Sequence, residues 1–167
     1  ACRMEGKQVR WLGSISHLKA YADAWQAVCR LRAARFLKIG ETEPWVINSC
    51  RDPQTIAETI GSTVIPLERE TLYATYRTIS DQEAADEASS WDSRTQALLD
   101  IGYADILKAC KVTVAMRRAL ESHQADGLSM ACFAMIGDLD TTSCLALSSL
   151  NDSANAIGAC EGDLDAA

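Results

Sequence analysis

Residues 103–134 read YADILKACKVTVAMRRALESHQADGLSMACFA, and the fold class turns on them. Ile106, Ala109, Cys110, Thr113, Met116 and Leu120 recur at three- and four-residue steps, laying an apolar stripe along one side of a helix over Tyr103 to Gln124. Gly127 to Ala134 follows as a run with no polar alternation, which reads as a strand buried on both faces, the kind a parallel sheet contains. Upstream, Phe36 to Gly40 and Ser62 to Leu67 are strand candidates, and Asp52-Pro53 between them opens a helix to about Ile60. A helix near Glu68 to Ile79 comes next. Another starts at Ser80, where Ser80-Asp81-Gln82-Glu83 fits a capping box, with a break expected near Trp91 to Ser93. Downstream lie a helix over Thr141 to Leu150 and a last strand over Ala156 to Cys160. Strands separated by helices imply parallel pairing through right-handed crossovers. The expected fold is therefore α/β, a doubly wound parallel sheet of Rossmann or flavodoxin-like type with flanking helices.

Ahead of this alternating region, Val9 to Ile15 is a short β-prone stretch. His17 to Leu37 then reads as a long amphipathic helix behind a Ser16 cap, with Leu18, Tyr21, Trp25, Val28 and Leu31 on one side. Such a helix often connects two domains, so the division expected is a β-prone stretch and long helix over 1–34 and an α/β domain over 35–167.

Composition narrows the partners. A chain of 167 residues with 48% hydrophobic and 23% charged residues suits one soluble globular domain with a sizeable core. A net charge of -7, with 16 Lys and Arg scattered along the chain, argues against nucleic acid, whose phosphates need clustered cations. The seven cysteines show no CxxC or Cys/His ligand spacing, so neither a zinc site nor a thioredoxin-like motif is expected. Widely spaced thiols in apolar surroundings behave as small hydrophobes and suit a reducing, cytoplasmic setting. Gly127 to Ile136 is among the longest apolar runs and falls short of the roughly 20 residues of a membrane span, so no membrane partner is expected. Neither GxGxxG nor GxxxxGK[ST] occurs, and the usual phosphate cradle is missing.

Doubly wound sheets hold ligands beyond the carboxyl ends of their strands. That rule selects Glu41 to Trp45, Cys132 to Asp138, and Glu161 to Asp163. Glu161-Gly162-Asp163 puts two carboxylates and a flexible glycine directly after an apolar strand. Two readings stay open on the residues alone: a site at Glu161, or a solvated Glu161 beside an Asp163 that caps a helix beginning at Leu164. Asp138 and Asp140 read as caps and dipole partners ahead of Thr141-Thr142-Ser143, with a site role as the rival reading. Cys132 and Cys160 lack a basic neighbour in sequence and read as buried structural thiols. Trp45 offers an aromatic face to a sugar or serves as a core anchor. His17 and His123 read as exposed helix residues.

Several ordered stretches resemble one family. Cys144-Leu145-Ala146-Leu147-Ser148-Ser149-Leu150-Asn151-Asp152, followed by Ala159 to Ala167, is similar to the end of the middle domain of L-fucose isomerase-like proteins. Glu161-Gly162-Asp163 also resembles the matching turn of L-arabinose isomerases. Gly40 to Ile47, Ser80 to Glu83 and Ala125 to Ser129 resemble the same proteins in the same order, so the likeness runs from about residue 8 to the end. It implies a metal-dependent aldose–ketose isomerase acting on a monosaccharide, with Glu161 as a ligand of catalytic Mn²⁺ and an acid–base group. It also implies a homo-oligomeric intact protein, for which Trp45 and Asp163 are the substrate-binding candidates. The family's second carboxylate and histidine ligands lie downstream of its Glu-Gly-Asp, and this chain ends six residues after Glu161. The resemblance therefore implies an interdomain crossover strand and long helix over 1–34 and a middle α/β domain over 35–167 truncated at its C-terminal end, and the fragment is expected to be inactive alone. The alternative expectation is a non-catalytic, flavodoxin-like domain that binds a small ligand or assembles subunits.

Overall fold

The computed structural model describes residues 13–92, 95, 99–153 and 156–167. Helix α1 (Ile15–Ala33) starts behind Ser14, whose hydroxyl accepts the His17 N–H at 3.2 Å, two residues earlier than the expected Ser16 cap. Its end also comes earlier than Leu37. Ala34 turns to an extended conformation (φ −65°, ψ 147°), and strand β1 (Arg35–Ile39) takes over because Leu37 and Ile39 belong to the sheet's buried face. Of the β-prone stretch Val9 to Ile15, residues 9–12 lie outside the described residues, and Ile15 is already helical.

Helix α2 (Pro53–Thr59) begins with proline in its first turn, and the Asp52 carboxylate caps it by accepting the Thr55 N–H at 2.9 Å. Next come β2 (Thr63–Leu67), α3 (Arg69–Thr78) and α4 (Asp81–Asp92). The capping box at the head of α4 forms as the sequence predicts: Ser80 Oγ accepts from Glu83 N–H at 3.2 Å, and the Glu83 carboxylate accepts from Ser80 N–H at 3.0 Å. The long helix α5 (Tyr103–His123) stops where Gln124 adopts a left-handed conformation.

Strand β3 (Gly127–Met130) is shorter than the apolar run that contains it. Its neighbours run out: Met130 pairs with Ile39, the last residue of β1, and with Cys160, the last residue of β4 (Ile157–Cys160). Beyond them the chain bends into a short helix, α6 (Ala134–Leu139), which the apolar run disguised. Helix α7 (Cys144–Asp152) starts three residues later than Thr141, behind Asp140 in a left-handed conformation (φ 53°).

All pairings are parallel, in the order β2-β1-β3-β4. The chain moves outward from β1 to β2, then returns past β1 to β3, which makes the β1/β3 boundary the topological switch point of a doubly wound sheet. Leu37 and Ile39 lie in register with Leu128 and Met130, and all four pack into one core with Leu72 and Tyr73 of α3, Val112 and Met116 of α5, and Leu147 and Leu150 of α7. The opposite face of β1 shows Phe36 and Lys38, and there α2 adds one buried side chain, Ile56. Helix α1 buries none, leaving Leu18, Tyr21, Trp25, Val28 and Leu31 exposed along one stripe. No helix among the described residues is long and apolar enough to cross a membrane.

Candidate functional site at the carboxyl edge of the sheet

Where β4 ends, the chain makes a tight turn closed by the Asp163 N–H donating to the Cys160 carbonyl at 3.1 Å. Its two central residues, Glu161 (φ 66°) and Gly162 (φ 68°), are both left-handed, the backbone signature of a type I′ turn. Only glycine suits the second place. A Cβ there would sit 2.9 Å from the Glu41 carbonyl oxygen and 3.0 Å from Thr42 Cα, because the loop after β1 presses on the turn backbone to backbone.

That loop is bonded to the turn along its length. Glu43 N–H donates to the Glu161 carbonyl at 2.8 Å, and Thr42 Oγ1 donates to the Gly162 carbonyl at 3.3 Å. Farther on, Arg51 N–H reaches Asp165 at 2.7 Å, the Arg51 guanidinium pairs with the same carboxylate at 2.9 Å, and Leu164 N–H donates to Cys50 Sγ at 3.5 Å. Between loop and turn, the Glu43 carboxylate accepts the Phe133 N–H at 3.3 Å, just past β3. Trp45 meets the Phe133 ring edge-on, centroids 4.9 Å apart at 80°. With exposures of 57% and 51%, the two rings form an aromatic shelf at the sheet's carboxyl edge, so Trp45 is no core anchor. A cleft of about 320 Å³ on the same edge, of mixed polar and apolar lining, is bounded by Lys38, Thr42, Ile47, Cys50, Arg51, Asp52 and Pro53.

Glu161 is half-buried, and among the described residues its carboxylate has no hydrogen-bond or ion-pair partner. Asp163, also half-buried, turns one oxygen to the Asp165 and Ala166 N–H groups at 2.8 and 3.3 Å. It thus caps the chain that follows, although no regular helix begins at Leu164.

The donor set does not fit a manganese ion on its own. Cys50, Asp163 and Asp165 bring potential ligand atoms within 4.8 Å of one another, but this group omits Glu161, includes a soft thiol, and has Asp165 engaged by Arg51. Mn²⁺ favours hard oxygen donors. Glu161 supplies one such donor and belongs to no group of three or more potential ligands among the described residues.

Other candidates have partners elsewhere. Asp138 accepts from the Tyr73 hydroxyl at 3.1 Å, tying α6 to α3, and burial, with this hydrogen bond second, pushes that hydroxyl well above its usual range. Asp140 is held below its usual range, and Lys108 above its own, chiefly by the 2.5 Å hydrogen bond between them, which ties α6 to α5. His17 is exposed, as expected, whereas His123 is half-buried, its Nδ1 lying 2.9 Å from the Ala119 carbonyl. It ends α5, which leads into the amino end of β3, the edge opposite Glu161.

One pairing escaped the sequence reading. Cys132 and Cys160, 28 positions apart, bring their sulfurs within 3.5 Å. Their placement at the ends of two strands was visible; that those strands are neighbours was not. Burial, and then the adjacent Cys132, pushes the Cys160 thiol far above its usual range, which keeps it protonated at neutral pH and makes it a slow nucleophile there. No family model matches this chain, and no curated protein matches it.

Proposed function

We propose that the chain is the middle domain of an aldose–ketose isomerase similar to L-fucose isomerase, with Glu161 as the carboxylate that moves a proton between C2 and C1 of a monosaccharide. The observation that carries this reading is the unpartnered Glu161 carboxylate on a left-handed turn, clamped by the β1 loop at the carboxyl edge of a doubly wound sheet. Such an isomerisation passes through an enediol: a base takes the C2 proton and returns it to C1 as the second hydroxyl becomes a carbonyl. A carboxylate free of ion pairs and open on one side suits that shuttle. The Trp45–Phe133 shelf offers aromatic surface to sugar C–H groups, and the neighbouring cleft offers Thr42, Lys38 and Arg51 to hydroxyl oxygens. Manganese, in the resembled family, polarises the sugar's C1 and C2 oxygens, and in this reading its ligands besides Glu161 come from other parts of the intact enzyme. That enzyme works in the cytoplasm as a homo-oligomer.

The purified 167-residue chain with Mn²⁺ is expected to convert neither a pentose nor a 6-deoxyhexose to its ketose, because one metal donor is not a site. In the enzyme that carries this domain, Glu161→Gln should abolish both ketose formation and deuterium uptake at C2 from heavy water while leaving circular dichroism unchanged. Retained exchange in that variant would refute the role. The unburied apolar stripe of α1 favours a second reading, a non-catalytic assembly domain. Full activity of Glu161→Gln together with loss of assembly on substituting that stripe would favour it.

A further inference from the structure

We propose that Cys132 and Cys160 form a redox-active thiol pair, an oxidation site that closes to an intramolecular disulfide on meeting a peroxide. The sulfurs already lie 3.5 Å apart, against the bond length of about 2.05 Å. The backbone around them is fixed independently. Met130 and Cys160 pair in the ladder, Ser129 Oγ donates to the Cys160 carbonyl at 3.1 Å, and that carbonyl also accepts the Asp163 N–H. Access is asymmetric: Cys160 is half-buried, while Cys132 is 3% exposed. Cys160 is therefore the sulfur a small oxidant reaches, and Cys132 the one that resolves it.

The steps balance. Cys160 gives up its proton and its sulfur attacks one peroxide oxygen; the O–O bond breaks, and the departing hydroxide takes that proton as the first water. The Cys160 sulfur is then a sulfenic acid. Cys132 loses its proton and attacks this sulfur, the S–O bond breaks, and the departing hydroxide leaves as the second water. Two thiols are oxidised by two electrons in all, and one peroxide is reduced to two waters.

Among the described cysteines, Cys110 is fully buried, its thiol pushed up to about 11 by desolvation, whereas Cys29 and Cys144 are exposed. Cys50 is half-buried against backbone groups, and Cys144 lies near enough to act electrostatically on Cys160, but the sulfur in direct contact with Cys160 is that of Cys132. The inference does not rest on the role proposed for Glu161, and its test reads mass rather than turnover.

The full chain would be treated with excess hydrogen peroxide, its remaining thiols blocked by alkylation under denaturing conditions, and unreduced peptides identified by mass. The expected result is that most chains carry a Cys132–Cys160 linked peptide, lighter by two hydrogens than the separate pair and restored by a dithiol reductant. Cys160→Ser should lose the link and leave Cys132 as a blocked thiol, and Cys132→Ser should leave Cys160 at sulfenic or higher oxidation. Recovery of both as blocked thiols after prolonged treatment with excess peroxide at about pH 9, where the slow Cys160 thiol gains thiolate, would overturn the proposal. So would separate overoxidation of the two in the unsubstituted chain.

Discussion

At Glu161 the backbone occupies the left-handed region, which costs a residue with a side chain about 1 to 2 kcal/mol relative to glycine's indifference there. Such strain persists where surrounding contacts over-determine it, and here those contacts are the β1-loop hydrogen bonds. Glu161→Gly should therefore be more stable by about 0.5 kcal/mol, the relief being partly offset by glycine's larger loss of freedom on folding. Gly162→Ala should cost about 2 kcal/mol, because its Cβ adds a clash with Glu41 to the strained φ. Urea unfolding of both variants measures the pair. A Glu161→Gly chain less stable than the parent would remove strain from the account of this turn. The position of Glu161 was legible, since an apolar strand followed by Glu-Gly-Asp places a carboxylate at a strand end. Its company was not: Glu43 reaches it, and Phe133 reaches Glu43, through the order of strands, which residue types do not reveal.

Helix starts are where the elements depend on charge. Glu83 is held below the usual carboxylate range first by the Ser80 backbone bond, Asp52 by the Thr55 hydroxyl, and Asp140 by the Lys108 ammonium. Each is depressed in the folded chain. Its contribution is therefore fully present above the ordinary values, 4.5 for Glu83 and 3.8 for Asp52 and Asp140, and is lost as pH falls through and below them. The thermal midpoint should be level above about pH 5 and drop below about pH 4. Ser80→Ala should flatten part of that drop, because it removes one of the bonds that lower Glu83. An unchanged slope in that variant would mean the capping box does not persist in solution. Long periodic elements such as α5 were legible from their spacing, and so was this capping box. The end of β3 and the whole of α6 were not, since six helical residues are too few to show a period and a strand's length depends on its neighbours'.

The molecule as a whole is a parallel sheet with its main core on one face and a helix, α1, that contributes little to it. Met116, at the centre of that core with no exposure, should cost about 3 kcal/mol on substitution by alanine, the price of a cavity that cannot collapse fully. Trp25→Ala should stay within about 0.5 kcal/mol despite removing a larger side chain, because 56% of it is exposed. Denaturant midpoints compare the two, and a Trp25 penalty close to that of Met116 would show that the α1 stripe is covered in solution. Parallel α/β architecture was legible from alternation alone. Strand order was not, because the described strands are short and mostly apolar, and nothing in such a run names its neighbour. The contact between the β1 loop and the β4 turn joins Thr42 to Gly162, 120 positions apart. As a ribosome delivers the chain, the loop must wait through that whole interval before its partner exists, so Glu161 acquires its geometry only well after the strand that anchors the loop has been made.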